Sequence, residues 1–277
     1  MKNLHFCGGL PRSGSTILMN ILQQNPNIFT TGTCALPDLL HQHVLVKSRY
    51  REQFQAMSVE QADKAMFGFV QGATKGWFEA LTNKPTIISK NRSWSNLIHL
   101  FKNSKYIVMV RDLRDIIESF ERVNEKTLAL HSYGDSMIFT PAMHQHEKFR
   151  YYLEEQNSLS VPLTTEIPRM MELYSKTKNK VLFIRYEDFV IDPIYMIKKI
   201  YSFIEEKYFE HDLDNIEQSV MFEHDHAYFR EKTNHVTHKK FLYNNKPNRT
   251  LPHSFHTRVV KEFKWFYEGF YPNELKS

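Results

Sequence analysis

The chain has 277 residues, 42% of them apolar and 24% charged, enough to bury one sizeable core; we expect a single domain over 1–277. Its net charge of +5 is dispersed, with no block of five like charges, which suits an anionic ligand and argues against a nucleic-acid-binding tail. Two cysteines, Cys7 and Cys34, exclude a disulfide framework and have no metal-ligand spacing, and no apolar run approaches the roughly 18 residues of a membrane span. Met1-Lys-Asn leads straight into the first apolar run without a signal peptide, so a cytoplasmic protein with no membrane or nucleic-acid partner is the expectation.

Residues 4–7 read as a buried strand, 8–14 as a loop, and the next segment as a helix with Ile17, Leu18, Ile21 and Leu22 on one face. A hydroxyl of Ser13 or Ser15 is expected to cap that helix. Strand, glycine-bearing loop and helix N-terminus together form an anion site, and Arg12 adds a forked cation. The order Gly9-Leu-Pro-Arg-Ser-Gly-Ser-Thr16 lacks the lysine of the nucleoside-triphosphatase loop. Asn25-Pro26-Asn27 stops the helix, residues 29–34 read as a polar loop, and 37–81 as an amphipathic helical stretch.

Residues 85–89 form the second expected strand, ending in Lys90-Asn91-Arg92, and Ser93 caps a helix running to about Lys102. The third strand, 106–110, is wholly apolar and runs into Arg111-Asp-Leu-Arg-Asp115 and a helix. Residues 128–178 are irregular and then helical, rich in aromatics and histidines such as His131, His144 and His146. A fourth strand, 181–184, precedes Arg185-Tyr-Glu-Asp188 and a helix over 193–205. The stretch to Arg249 has weak periodicity and contains His224, His226 and His238; a last helix covers 253–270.

This alternation predicts an α/β fold, a P-loop-like three-layer sandwich with a central parallel sheet flanked by helices. Ligands of such sheets sit at the carboxyl ends of the strands. Here those ends carry Arg12, Lys90, Arg111 and Arg185-Tyr186, which suits a ligand with two separate anionic groups.

At these residues the chain resembles the sulfotransferases that use 3′-phosphoadenosine 5′-phosphosulfate (PAPS), over roughly 4–204. Residues 9–18 resemble their 5′-phosphosulfate loop, Arg111 to Ser119 their 3′-phosphate motif, and Phe183-Ile-Arg-Tyr-Glu-Asp-Phe189 their Tyr-Glu-Asp segment. Arg12 makes the loop most similar to tyrosylprotein-type and bacterial or phage-type members. The resemblance implies a cofactor site of Arg12, Ser13, Gly14, Ser15, Thr16, Arg111, Ser119 and Tyr186, with Arg12 and Lys90 at the reacting group and no metal. It implies sulfuryl transfer from PAPS to a hydroxyl or amine of a small molecule, sugar or peptide tyrosine.

Asp112, just after the third strand, keeps a small-metabolite kinase using ATP and Mg²⁺ as the alternative. The general base departs from the family pattern. Asn91 and Arg92 stand where cytosolic members have a histidine, and Thr33-Cys34-Ala35 where tyrosylprotein members have a glutamate. Asp38, His41, His43, Glu166, His224 and His226 are the candidates. Arg230, Lys239 and Lys240 lie where relatives close a basic loop on the cofactor. The chain lacks the dimerisation segment of cytosolic members, which leaves its oligomeric state open.

Overall fold

The computed structural model describes residues 3–46, 52, 56–128, 145–156, 159–218, 238–243 and 249–275. Five parallel strands form one sheet in the order β2-β3-β1-β4-β5: β1 Asn3–Gly9, β2 Ile28–Thr33, β3 Thr86–Lys90, β4 Tyr106–Val110 and β5 Val181–Arg185. The central strand has no polar side chain after His5, as a strand buried on both faces requires.

Alternation along the strands splits the core in two. On one face, Phe6 stacks on Trp94 with ring centroids 4.4 Å apart and meets Phe101 edge-on at 5.3 Å. Truncating so buried a ring to alanine costs about 3–5 kcal/mol. On the other face, Cys7, Ile107 and Met109 pack against Leu18, Ile21 and Leu22 of α1 (Ser15–Leu22), together with Ile197 and Ile200. The predicted three-layer sandwich is therefore the observed one.

Its topology fixes the site. From β1 the chain runs through α1 towards β2, and from β4 it runs the opposite way to β5. Neighbouring strands whose exits diverge leave a crevice between them, and here that crevice lies between the loops carrying Arg12 and Arg111.

Four local expectations are corrected. Residues 28–33 are a strand, because their threonines bond into the sheet: Thr31 Oγ1 accepts from the Lys90 amide at 2.9 Å, and Thr30 Oγ1 donates to Met19 O at 3.0 Å. The stretch 37–81 is two helices, α2 (Leu36–Val46) and α3 (Val59–Leu81), the second started by a reciprocal Ser58–Gln61 capping box. The helix after Ser93 is short, Trp94–Leu97 with a 3-10 turn to Leu100, and the Ser93 hydroxyl turns to Asp38 rather than capping it. The last helix is broken at Phe263 into His253–Glu262 and Lys264–Phe270.

Candidate active site

The loop after β1 is wound tightly by two left-handed residues, Arg12 at φ 57° and Gly14 at φ 86°. A non-glycine residue held there marks a backbone constrained by its surroundings. The Ser13 hydroxyl donates to Leu10 O at 2.5 Å and staples the turn, so what Ser13 can offer a ligand is its backbone. Neither serine caps α1. Gly14 is the N-cap, with no side-chain hydrogen bond to the first turn among the described residues. The winding of the loop thus leaves the helix N-terminus to serve an anion.

Arg12 Nε donates to Ser119 Oγ at 3.0 Å, and Arg111 Nη1 donates to Arg12 O at 2.8 Å. The Arg111 guanidinium lies 4.1 Å over the ring of Tyr186, whose edge lies against Gly14. A Cβ on Gly14 would come within 2.8 Å of that ring, so glycine is required there twice, by φ and by space. Burial, then the charges of Arg111 and Arg122, lower the pKa of Arg12. Arg111 is itself buried, and its Nε finds no partner among the described residues. Lys90, at the end of β3, reaches across to Thr16 Oγ1 at 2.9 Å. An uncapped helix end, mutually repelling arginines and an orphaned guanidinium N–H fit a ligand with two separated anions.

The sequence model of the sulfotransferase family matches residues 5–210. The chain belongs to the sulfotransferase family. A Caenorhabditis briggsae protein provisionally named a protein-tyrosine sulfotransferase is 24% identical over 212 residues, 75% of this chain and 67% of its own length. Two solved structures share the fold. The sulfotransferase domain from the curacin biosynthetic pathway has a TM-score of 0.54 at 15% identity, covering 95% of this chain and 98% of its own. The sulfotransferase domain of the Synechococcus PCC 7002 olefin synthase has a TM-score of 0.51 at 19% identity, covering 94% of each chain.

Within this sulfotransferase, the Tyr-Glu-Asp segment does more than supply Tyr186. Glu187 accepts from the Asp112 amide at 3.1 Å and from Tyr271 OH at 2.7 Å, fixing the backbone next to Arg111. Arg185, the last residue of β5, points away from the crevice, into Asp188 at 2.9 Å and Phe270 O at 3.1 Å, while Tyr186 opens the helix Tyr186–Ile191. Asp112 is buried in an ion cluster, accepting from Arg114 Nε at 2.9 Å, Tyr267 OH at 3.0 Å and Arg249 Nη2 at 3.3 Å. Burial pushes its carboxyl up, but the Arg114 hydrogen bonds and charge prevail and hold it below the usual carboxylate range.

Of the candidate bases, Asp38 lies beside Asn91, the residue after Lys90. Its carboxylate is exposed in the first turn of α2 and accepts from Asn91 Nδ2 at 2.8 Å and from the Ser93 hydroxyl. Asn91 directly follows Lys90 and is itself locked, donating to Cys34 O at 2.6 Å and accepting from the Ser93 amide at 2.7 Å. Glu166 is instead sealed in the core beneath β1. Lys239 and Lys240 are exposed, Lys240 pairing with Asp214 at 2.9 Å. The side chain of His43, and residues His131, His144, His224, His226 and Arg230, lie outside the described residues. No helix among the described residues is long and apolar enough to cross a membrane.

Proposed function

We propose that this sulfotransferase moves the sulfuryl group of PAPS to a hydroxyl or amine acceptor. The observation that carries the reading is the buried Arg111, stacked on Tyr186 with Nε unpartnered among the described residues, one strand away from the Arg12 loop. Arg111 and Ser119 are suited to the 3′-phosphate, and the backbone of residues 13–16 with Thr16 to the 5′ side. When bound, the cofactor supplies the electrophilic sulfuryl group. Arg12 and Lys90 supply fixed positive charge where negative charge grows during transfer, and preorganised donors of this kind are worth about 3–4 kcal/mol each. Asp38, held by Asn91 and Ser93, is the carboxylate we assign to take the proton of the acceptor.

The kinase alternative needs a carboxylate free for Mg²⁺, and Asp112 is engaged by Arg114, Arg249 and Tyr267. Thermal denaturation with the desulfated cofactor, 3′-phosphoadenosine 5′-phosphate (PAP), tests the reading. PAP should raise Tm in the presence of EDTA, and Arg12→Ala and Arg111→Ala should abolish the shift. Greater stabilisation by ATP with Mg²⁺, lost on adding EDTA, would favour the kinase.

A further inference from the structure

We propose that Glu166 is a positioning residue of the anion loop, a buried carboxyl that holds the Gly9 amide and whose proton sets how well the loop above takes an anion. This rests on the reading that the loop binds the cofactor's anionic groups.

Glu166 ends the turn Pro162–Glu166 ahead of the helix Ile167–Lys176 and is fully enclosed. Its Oε1 accepts from the Gly9 amide at 2.9 Å and from Tyr106 OH at 2.8 Å. Tyr106 OH also lies 3.3 Å from the carbonyls of both Asn91 and Arg92. A Cβ on Gly8 would collide with both Glu166 Oε1 and Tyr106 OH, so the carboxyl fills the place of a side chain on β1. One group therefore ties together the ends of β1 and β3 and the ring of β4. These are the strands whose exits carry Arg12, Lys90 and Arg111.

Its second oxygen, Oε2, has no partner among the described residues. A buried carboxylate with an unsatisfied oxygen is costly, and a neutral acid is much less so. The groups acting on it are Tyr106 from β4, Arg92 after β3 and Arg169 from the following helix, with Cys7 on the opposite face of β1. Burial outweighs the Tyr106 and Gly9 hydrogen bonds and the two arginines, pushing the carboxyl up to about 7. Cys7 is pushed up to about 12 and Tyr106 well above its ordinary value, both by burial first, so neither ionises near neutrality. Below about pH 7 the Gly9 amide rests on a neutral acid. Above it, a negative charge sits under a loop built for anions. By linkage, an anion bound in the loop favours the protonated acid, so binding takes up a proton.

The test is PAP binding by calorimetry between about pH 6 and pH 8, in buffers of different ionisation enthalpy. Wild-type affinity should fall about tenfold more than that of Glu166→Gln across this range, and only the wild type should take up the extra proton near pH 7. Glutamine keeps the acceptor for Gly9 and cannot ionise. Identical pH profiles and proton uptake in the two proteins would overturn the proposal. Should Glu166→Gln fail to fold, Tyr106→Phe decides: losing a hydrogen bond that favours the ionised form must move the midpoint to higher pH, and an unmoved midpoint refutes the idea. A wild type that binds no PAP at any pH defeats the cofactor reading instead; pyrophosphate binding over the same pH range then judges Glu166 alone.

Discussion

The Nε of Arg12 donates to the hydroxyl of Ser119 over 3.0 Å, joining the loop after β1 to the helix Leu113–Leu128 across 107 positions of the chain. The bond uses one edge of the guanidinium and orients the rest. Lysine keeps the charge but has no Nε–H to give Ser119 and no planar fork. Charge-assisted hydrogen bonds contribute about 1.5–3 kcal/mol, so Arg12→Lys should weaken PAP binding roughly 10- to 100-fold. Ser119→Ala, which removes one of the bonds that orient Arg12, should weaken it by about tenfold at unchanged Tm. Calorimetric titration with PAP measures both.

Two glycines should answer oppositely to alanine. Gly14 is left-handed, and its added Cβ would sit 2.8 Å from Tyr186 Cδ2. A left-handed alanine costs about 1–2 kcal/mol before the ring is displaced. Gly14→Ala should therefore lower Tm and, by pushing Tyr186 off Arg111, weaken PAP binding as well. Gly68 lies inside α3 with no described atom within 4 Å of its would-be Cβ. Gly68→Ala should stabilise by about 0.5–1 kcal/mol, read as a small rise in Tm, with PAP binding unchanged.

The crevice was legible because it lies at strand ends. Apolar runs located β1, β3, β4 and β5, and residues at or after three of their ends do meet the loop after β1 or belong to it: Arg111 bonds the Arg12 carbonyl and Lys90 bonds Thr16. The strand 28–33 was hidden because Thr30 and Thr31 satisfy their hydroxyls through Met19 O and the Lys90 amide, partners a local pattern cannot show. The cap of α1 was misassigned for a related reason. Ser13 has the right side chain, but the left-handed turn directs its hydroxyl to Leu10 O. Gly8 with Glu166, like Asp38 with Asn91, meets only in three dimensions. Asp38 and Glu166 were both visible as carboxylates, and burial alone separates their roles.

Asp38→Asn tests the acceptor side of the site. The amide keeps the size of the carboxylate but cannot take a proton. General-base assistance is worth about 10²–10⁴-fold, so the rate of PAP release from PAPS with a tyrosine peptide or a phenol should fall by that order. PAP affinity should stay at the wild-type level, since Asp38 contacts Asn91 and Ser93 rather than the loop of Arg12. A variant that loses PAP affinity along with rate would mark Asp38 as a strut between α2 and β3. Asn91→Ala, which removes the hydrogen bond holding the carboxylate, should lower the rate less than Asp38→Asn does.

His5 sets an acid limit to stability. Its ring is buried in β1, and its Nδ1 accepts from the Lys105 amide at 3.3 Å, which requires an unprotonated nitrogen. Burial, then the charge of Lys105, lower its pKa to about 4 from an ordinary 6.5. Between those values the unfolded chain binds a proton that the folded chain does not. The stabilisation is therefore complete above about pH 6.5 and is lost as pH falls towards 4. At 1.36 kcal/mol per unit, the full effect is on the order of 3 kcal/mol. His211, also lowered to about 4 by burial, acts in the same direction. Glu166 acts in the opposite direction: its raised carboxyl binds the proton in the folded state, so acidification from pH 7 to pH 4.5 favours folding. His256, lowered by burial, acts with the two histidines, and Glu187 and Asp115, raised by burial, act with Glu166, so each contribution is read as the change its removal makes to Tm between pH 6.5 and pH 4.5. His5→Asn offers the Lys105 amide an oxygen acceptor without a proton site and should make Tm less sensitive to acid than in the wild type. Glu166→Gln, which removes an opposing group, should make it more sensitive.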